Sequence, residues 1–335
     1  MIRFGIIGCG TIAGTFMSAL EQVKDTKLTG VYTPNRSHAE AFAKKYNAKA
    51  YADADDLLHS DIDAVYISTP SGLHAEYIVR AADAGKHILA EKPIGITAEQ
   101  LDAIENACRK NRVKFSAVSQ FTFSDDYRRM KEAVDGGTLG KVFLADLIME
   151  YYRSDEYYRS GNWRGTWKLD GGGALMNQGI HGVSLLLGLL GAPKSVTALT
   201  RTFVHPIEVE DTALALVEFR NGAVANIEAT TSVQPARPRI LSLHGTKGTV
   251  TLTEDTITEW NIAGAEGTAA SGPVRSSASN PTDISFELHR RQIEDFIRAI
   301  LMDTEPLLGV KEGRLPVELI LGIYRSSQTG KTVTF

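Results

Sequence analysis

The N-terminal stretch from Arg3 to Leu20 constrains the fold of this chain more than any other part of the sequence. The run Phe-Gly-Ile-Ile at residues 4–7 predicts a buried parallel strand, and Gly8, Gly10 and Ala13 then match G-x-G-x-x-G/A before a predicted helix. The first glycine permits a tight turn, and the second lets the backbone approach a pyrophosphate at the helix N-terminus. A glycine turn without a ligand is the alternative, but its place between strand and helix favours a dinucleotide. The loop residues expected at the dinucleotide are Gly8, Gly10, Thr11 and Ile12.

The end of the second predicted strand, residues 27–33, bears on the choice of dinucleotide. The acidic residue that usually binds the adenosine ribose hydroxyls is missing there. Asn35 and Arg36 follow instead, and a guanidinium would hold a 2′-phosphate, which favours NADP slightly over NAD. Ser37 and Glu40 also match a capping box for a helix over residues 38–46, in which case Arg36 only faces solvent. Both dinucleotides stay open.

A third strand is predicted over residues 64–68, and it ends in Thr69 and Pro70, with His74 in the helix that follows and stops near Gly85. Ligands of open parallel sheets bind at the carboxyl ends of the strands. We therefore expect Thr69, Pro70 and His74 on the nicotinamide side of the cofactor. The alternative is that Thr-Pro only ends a strand and that the histidine is structural.

The next predicted strand, residues 87–90, runs directly into Glu91, Lys92 and Pro93. A lysine near a bound nicotinamide can donate to the substrate oxygen, so Lys92 is a candidate catalytic and cofactor-binding residue beside Glu91. A surface lysine paired with its neighbour is the alternative. Thr97 and Gln100 form a capping box for a helix over residues 98–110, and a strand over residues 115–121, which contains Gln120, closes the nucleotide domain at residue 120.

Aromatic and arginine residues crowd together between residues 151 and 167, where a loop is predicted. Aromatic faces and guanidinium forks suit a sugar ring, especially one with a carboxylate or phosphate group. The alternative is that the rings cover a small satellite core or a subunit interface. The substrate-binding candidates in this segment are Tyr152, Trp163 and Arg164.

A helix is predicted over residues 174–190, directly after Asp-Gly-Gly-Gly. Asn177 and His181 lie at i and i+4, so they share one face, which Ser184 continues. A lone histidine there would more often be a satisfied core group. With Asn177 and the glycine-rich entry beside it, we interpret His181 as the proton acceptor, because imidazole titrates near neutrality.

The second half, residues 121–335, changes from strand–helix alternation to longer strands, which indicates an α+β domain with an antiparallel sheet. Asn221-Gly222 predicts a hairpin, residues 264–280 an exposed mobile loop, and residues 284–301 and 313–327 two helices. The other predicted elements are a helix at 125–134 and strands at 142–152, 195–204, 212–219, 223–231, 239–244 and 249–253.

Taken together, the chain resembles the family of glucose-fructose oxidoreductase, inositol dehydrogenase and the rhizopine catabolism proteins (Gfo/Idh/MocA) over its whole length. The resemblance is carried by Glu91-Lys92-Pro93, by Thr69-Pro70 with His74, and by Gly-Gly-x-x-x-x-x-Gly-x-His ending in His181. It implies a doubly wound Rossmann domain and a C-terminal α+β domain whose large, open, mostly antiparallel sheet packs against another subunit. It also implies that Lys92 and His181 lie beside the nicotinamide, where Lys92 orients the substrate hydroxyl and His181 takes its proton.

One position departs from the pattern of this family, whose dehydrogenases usually carry Asp where this chain has Asn177 and often a second Asp where it has Ser184. Asn177 can hydrogen-bond to substrate, but it neither accepts a proton nor supports an imidazolium by charge. His181 is then the sole base, and Asn177 keeps a place among the catalytic candidates.

Composition excludes some partners. The formal net charge is −4 and no Lys/Arg run occurs, which argues against nucleic acid and anionic membranes. Two cysteines suggest no disulfide framework, no metal-ligand cluster is visible, and neither a signal peptide nor an apolar span of 18 residues occurs, so we expect a cytoplasmic protein.

The expected function is an NAD(P)-dependent oxidoreductase that acts on a secondary alcohol of a sugar, polyol or sugar derivative, as a homodimer or homotetramer. An NAD-dependent redox-neutral glycosidase and a non-catalytic dinucleotide or sugar sensor of the same fold are the alternatives.

Overall fold

The computed structural model of the chain describes residues 1–264, 267, 269, 274, 276, 278, 279 and 285–335. The chain divides into two units. The first unit comprises Met1–Gln120 and Ser285–Arg314, and the second comprises Phe121–Ile284 and Leu315–Phe335. The predicted loop over residues 264–280 lies largely outside the described residues.

The first unit is built on a parallel sheet in which buried apolar strands alternate with helices. The strand order is β3-β2-β1-β4-β5-β6, which confirms the predicted Rossmann sheet. Its elements are β1 Ile2–Ile7, α1 Thr11–Leu20, β2 Thr26–Tyr32, α2 Arg36–Lys45, β3 Lys49–Ala50, α3 Ala54–Leu58, β4 Ala64–Ile67, α4 Ser71–Asp83, β5 His87–Ala90, α5 Ala98–Asn111 and β6 Phe115–Ala117.

The first unit also contains a helix from much later in the chain, α9 Phe286–Met302. Its buried face packs into the core of this unit, where Ile293 and Phe296 join Phe4 and Phe16. The sequence predicts that all residues after 120 belong to the second domain. This prediction is wrong for Ser285–Arg314, which belong to the first unit. The reason is hydrophobic: the α1 side of the sheet needs a covering helix, and α9 supplies it.

The second unit is built on a large, mostly antiparallel sheet with the strand order β13-β12-β11-β7-β10-β9-β8-β14, in which β7 and β10 run parallel. This confirms the predicted sheet and the Asn221-Gly222 hairpin between β9 and β10. The remaining elements are α6 Asp125–Asp135, β7 Val142–Glu150, α7 Asp155–Arg159, α8 Ile180–Leu190, β8 Pro193–Arg201, β9 Thr212–Phe219, β10 Val224–Thr230, β11 Ile240–Gly245, β12 Gly248–Thr253, β13 Thr256–Ile262, α10 Val310–Thr329 and β14 Val333–Thr334.

The ends of three predicted elements differ from the observed ones because side chains from outside each element form hydrogen bonds with its backbone. Strand β6 ends at Ala117 rather than at residue 121, since Gln292 of α9 accepts from the Ser119 amide and donates to the Ala117 carbonyl. Strand β8 ends at Arg201, since the buried Asp211 carboxylate accepts from the amides of residues 203, 204 and 205. The predicted helix over residues 174–190 starts as a π-helical turn, Ala174–Gly179. Here Glu210 accepts from the amides of residues 173 and 175.

Within the described part of the chain, no helix combines the length and apolar character needed to cross a membrane.

Candidate active site

The glycine loop between β1 and α1 has the shape expected of a phosphate cradle. Gly8 has a φ of +97°, and a Cβ there would lie 2.6 Å from backbone atoms of Ser68. A Cβ on Gly10 would meet no atom within 4 Å, so this glycine borders open space in front of α1. In α1, which is described throughout, no side chain caps the N-terminus and no acidic residue lies in the first turn. The backbone N–H groups of the first turn of α1 are therefore available to bind an external anion.

The predicted capping box at Ser37 and Glu40 is wrong. Asn35 is the residue that caps α2, because its Oδ1 accepts from the His38 amide at 3.1 Å and from the Ser37 hydroxyl at 2.8 Å. Arg36 pairs with Glu40 at 2.6 Å, and both side chains are more than half exposed. An exposed pair of this kind is weak, so Arg36 remains accessible to a phosphate.

His74 ties two loops of the cofactor edge together. It is fully buried, with Nδ1 2.7 Å from the Pro93 carbonyl oxygen and Nε2 2.7 Å from the Thr69 carbonyl oxygen. Burial lowers the pKa of His74. Both ring nitrogens thus face backbone, which gives His74 a positioning role for the Thr69-Pro70 and Lys92-Pro93 loops; direct contact with the cofactor stays a prediction.

Two buried polar atoms at the carboxyl edge of the parallel sheet lack a hydrogen-bond partner among the described residues. They are Oγ1 of Thr69, after β4, and Oε1 of Gln120, after β6. An unpaired buried polar atom is costly, whereas the carboxamide and ribose groups of a dinucleotide would pair with both. These two atoms, the glycine cradle and the uncapped α1 together fit an NAD or NADP molecule.

Glu91 and Lys92 follow β5 at the same edge, with different surroundings. The buried Glu91 carboxylate accepts from the Tyr66 hydroxyl at 2.7 Å and from the Lys92 amide at 3.3 Å. The Tyr66 ring stacks on Phe16 with a centroid distance of 3.9 Å. Glu91 is therefore anchored inward, while Lys92 is half buried at the sheet edge.

His181 lies in the first turn of α8, and aromatic packing fixes the plane of its ring. Phe121 meets the imidazole edge to face at 5.4 Å, and the guanidinium of the buried Arg239 lies 4.5 Å from the centre of the Phe121 ring. The π-helical turn before α8 carries Asn177, whose Nδ2 donates to Asp170 Oδ1 at 2.5 Å. Asn177 and His181 thus lie on a π-to-α junction rather than on one straight helix face, and such junctions are frequent at functional sites.

The predicted substrate segment connects to Asn177 through hydrogen bonds. Arg164 Nη1 donates to the Tyr157 hydroxyl at 2.6 Å, and Gln178 Nε2 donates to the same hydroxyl at 2.8 Å and to Asn177 Oδ1 at 2.9 Å. The Arg164 guanidinium also lies over the Trp163 ring at 4.5 Å. Trp163, Arg164 and Asn177 are thus brought into one cluster.

Tyr152 is held differently, through a backbone bridge to Ser232 and a hydrogen bond from its amide to the Ala278 carbonyl. Its predicted contact with substrate stays a prediction.

Several residues of this site were not singled out from the sequence. The local signals were weak: Gln178 is the neighbour of Asn177, and Asp170 directly precedes the glycine triplet. For the others only the tertiary structure gives a reason. The residues missed are Phe121, Arg153, Tyr157, Asp170 and Gln178. No group of His, Cys, Asp or Glu suited to a metal ion occurs among the residues that the structure describes.

The first unit is a Rossmann unit whose glycine cradle and unpaired buried polar atoms fit NAD or NADP, and the second unit is built on a large mixed sheet. This pair of units defines the class of NAD(P)-dependent oxidoreductases. Family comparison agrees. The family described as oxidoreductase family, NAD-binding Rossmann fold, matches residues 2–119, and the GFO/IDH/MocA C-terminal domain matches residues 127–251. The chain belongs to the Gfo/Idh/MocA oxidoreductase family.

Individual relatives have low sequence identity to the chain, but the similarity extends over most of its length. The chain is 30% identical to scyllo-inositol 2-dehydrogenase (NADP(+)) IolU of Bacillus subtilis over 77% of each protein. It is 27% identical to D-xylose 1-dehydrogenase (NADP(+)) 2 of Haloferax volcanii over 99% of each. Among solved structures, the WlbA dehydrogenase of Bordetella pertussis in complex with NADH and UDP-GlcNAcA has a TM-score of 0.90 and 30% identity, with 100% of this chain and 98% of that chain covered.

Proposed function

We propose that the chain oxidises a secondary alcohol of a sugar, polyol or sugar derivative that carries an anionic group, with Lys92 and His181 as the catalytic residues. The observation that carries this proposal is the continuous hydrogen-bond path from Arg164 through Tyr157 and Gln178 to Asn177. It joins a guanidinium, the group best suited to a carboxylate or phosphate, to the residue four positions before the proposed base.

Each side chain has a defined role in the proposed reaction. A bound NAD or NADP supplies the hydride acceptor. The Lys92 ammonium, which can only donate, holds the substrate hydroxyl oxygen by a hydrogen bond. Neutral His181 takes the hydroxyl proton as the carbon loses its hydride, and it later gives that proton to solvent. The alcohol loses a hydride to the dinucleotide and a proton to His181, and the product is a ketone.

Relatives support the substrate class. The names of two of them denote dehydrogenases of scyllo-inositol and D-xylose, and the WlbA dehydrogenase was solved with UDP-GlcNAcA. The half-buried Arg164, together with the Trp163 ring over which it lies, favours a ring-shaped substrate with negative charge. The preference for NADP rests on the accessible Arg36 and on the absence of an acid at the end of β2.

The test is dinucleotide reduction by the purified protein over neutral polyols, neutral sugars, uronic acids, sugar phosphates and nucleotide-linked sugars, with NAD and NADP offered separately. We expect steady turnover with at least one anionic sugar. Lys92→Ala should lower kcat by a factor of about 100 or more and leave dinucleotide affinity nearly unchanged, because loss of one hydrogen-bond donor to the reacting oxygen costs about 10²–10³ in kcat.

The matched control is Lys110→Ala, which removes an exposed lysine of the same unit and should leave turnover unchanged. Normal turnover by the Lys92→Ala variant would show that the assignment of Lys92 is wrong. Dinucleotide retained through purification with release of a leaving group and no net reduction would instead identify the redox-neutral glycosidase.

We also propose that the protein works in the cytoplasm as a homodimer or homotetramer. The thiols of Cys9 and Cys108 are buried and form no disulfide, as expected in a reducing compartment. Exposed apolar side chains on one face of neighbouring strands β8, β9 and β10 support an oligomer formed through this sheet. They are Leu199, Leu214, Leu216 and Val224.

A further inference from the structure

Four polar side chains of the second unit form one hydrogen-bonded row that ends in opposite charges. Arg153 Nη2 donates to Gln178 Oε1 at 2.7 Å, Gln178 Nε2 donates to Asn177 Oδ1 at 2.9 Å, and Asn177 Nδ2 donates to Asp170 Oδ1 at 2.5 Å. We call these four residues the amide row. Both charged ends are buried: Arg153 is 3% exposed and Asp170 is 2% exposed.

The two charged ends determine which way each amide faces. A guanidinium can only donate, so the atom of Gln178 that faces Arg153 is its oxygen. A carboxylate can only accept, so the atom of Asn177 that faces Asp170 is its nitrogen. The middle bond, from Gln178 nitrogen to Asn177 oxygen, agrees with both assignments. The orientation of Asn177 is thus fixed from both sides, and charge at the ends strengthens every bond between them.

The backbone around the glycine triplet allows this row to form. Gly172 has a φ of +158°, and a Cβ there would lie 2.1 Å from the Tyr324 hydroxyl, while a Cβ on Gly173 would lie 1.8 Å from the Glu210 carbonyl oxygen. Only glycine therefore lets the chain turn back between Asp170 and the π-helical turn. The Asp170 carboxylate is held in place on its other side by the Gly165 amide at 2.9 Å.

We propose that Asp170 is a positioning residue that orients the Asn177 amide so that Asn177 Oδ1 serves the site as a hydrogen-bond acceptor. The proposal rests on the proposed function, in which Asn177 lies beside the base His181. With its nitrogen held by Asp170, Asn177 offers an oxygen to a hydroxyl group of the substrate. This contact orients the sugar ring so that the reacting hydroxyl group can transfer its proton to His181.

The donor and acceptor order of the amide row predicts that two harmful substitutions compensate each other when combined. Asp170→Asn replaces the terminal acceptor by an amide and so removes the reason for the Asn177 orientation. Asn177→Asp sets two carboxylates face to face at hydrogen-bond distance, so one of them must bind a proton or move away, and an amide N–H no longer orients residue 177. The double variant Asp170→Asn/Asn177→Asp exchanges the two groups, so the amide nitrogen of residue 170 again donates to an oxygen of residue 177, and the acceptor is restored.

The experiment measures kcat and KM of the two single variants and the exchanged double variant, at a temperature where circular dichroism shows each of them folded. Each single variant should lose kcat by about tenfold or more, because the hydrogen bond to a charged group that orients Asn177 is lost. KM for the dinucleotide should stay unchanged. The double variant should recover to within about threefold of the original kcat. Asp135→Asn, an exposed carboxylate of α6, is the matched control and should change neither constant.

The proposal is overturned if Asp170→Asn keeps the original kcat, or if the double variant is no better than the single ones. If Asp170→Asn does not fold, the double variant decides alone: recovery of folding and turnover supports the amide row, and failure of either overturns it. Should the unaltered protein turn over none of the sugars, the proposed function fails, and thermal midpoints then decide on the row. A midpoint that falls in Asn177→Asp and recovers in the double variant supports it, whereas an unchanged midpoint overturns it.

Discussion

Gly8 and Gly10 stand two positions apart, and each is required for a different reason. Gly8 needs its positive φ of +97° and has no room for a Cβ beside the Ser68 backbone, so the fold itself depends on it. Gly10 has an ordinary φ of −78° and open space where a Cβ would be. No contact among the described residues requires glycine at position 10, which agrees with the predicted approach of a pyrophosphate to its backbone.

Gly10→Ala should therefore separate binding from folding. We expect the thermal midpoint to stay unchanged and the dissociation constant for NAD(P) to rise by about tenfold or more, which corresponds to about 1.4 kcal/mol. Thermal unfolding and titration calorimetry with the dinucleotide measure the two effects.

Gly14→Ala, in the helix that follows Gly10, is the control. A Cβ at this position also meets no atom within 4 Å, so the added methyl group is again tolerated by the fold. It lies outside the glycine pattern, and alanine favours a helix by up to about 1 kcal/mol over glycine. Unchanged affinity is expected in this variant. Equal affinities in both variants would contradict the assignment of Gly10 to the phosphate cradle.

Residues whose role follows from local backbone requirements could be predicted from the sequence. Gly8 and Gly10 belong to this group, because strand, turn and helix occur within one short stretch. Asp170 and Gln178 do not, because their role depends on a π-helical turn and on a buried arginine from another loop. Arg239 and Phe121, which fix the His181 ring, lie far from it in sequence, and no spacing rule connects them.

The start of the helix that carries His181 depends on one buried carboxylate. Glu210 accepts from the amides of Gly173 and Leu175 and from the Tyr324 hydroxyl, and it thus substitutes for a helix cap at the π-helical turn. Burial raises the pKa of Glu210 to about 7, although these hydrogen bonds lower it. Folding therefore shifts Glu210 toward its protonated form, compared with a glutamate in the unfolded chain.

The stability of the folded protein should accordingly depend on pH through Glu210. A carboxyl group whose pKa is raised on folding binds more protons in the folded state than in the unfolded state, so its contribution to stability falls as pH rises. The change runs from the ordinary value of 4.5 to about 7. Over this range the protein should lose on the order of 3 kcal/mol relative to a Glu210→Gln variant, with a flat difference above it.

Thermal midpoints of both proteins over this pH range give the difference directly, and Glu132→Gln on the exposed side of α6 is the control. A difference that grows in favour of the glutamate as pH rises would contradict the raised pKa.

Most elements could be predicted from hydrophobic periodicity and caps, whereas several of their ends could not. Thr97 caps α5 as its sequence predicts, because cap and helix are neighbours in the chain. The ends of β6 and β8 are decided by Gln292 and Asp211, each of which lies outside the strand and forms hydrogen bonds with several backbone groups. Gln292 lies 175 residues after Ala117, so no sequence window contains both residues. Asp211 lies seven residues after Val204, but the sequence does not show that its carboxylate accepts from these amides.

The exposed face of strands β8, β9 and β10 in the second sheet bears on the oligomeric state of the protein. Leu199 and Leu214 pair directly across β8 and β9, and Leu216 lies next to them with 66% of its surface exposed. Contiguous exposed leucines on a sheet are typical of a surface that another protein copy covers.

If the proposed homodimer or homotetramer forms through this face, Leu216→Lys should shift the protein to smaller species, because a charge at the centre of an apolar interface must be desolvated. Sedimentation velocity measures the change. Leu301→Lys on α9 is the matched control, since Leu301 is also 66% exposed. A monomeric unaltered protein, or an unchanged assembly in the Leu216→Lys variant, would contradict this interface.

At the scale of the whole chain, the class of each unit could be predicted from the change in pattern near residue 120, but the return of α9 could not. The amphipathic pattern of α9 shows that it needs an apolar partner, and it does not show which one. That assignment follows only from the fit between its buried residues and the α1 side of the parallel sheet.

The return of α9 also orders events while the protein is being made. All six strands of the parallel sheet lie before residue 120 and so leave the ribosome early. Phe4 and Phe16 nevertheless lack their α9 partners until residues 285–314 emerge. At roughly 5–20 residues per second, this interval lasts roughly 8–30 s. The nascent chain must therefore complete nearly all of the second unit before the nucleotide-binding unit has a finished core, and its N-terminal third is not a detachable module.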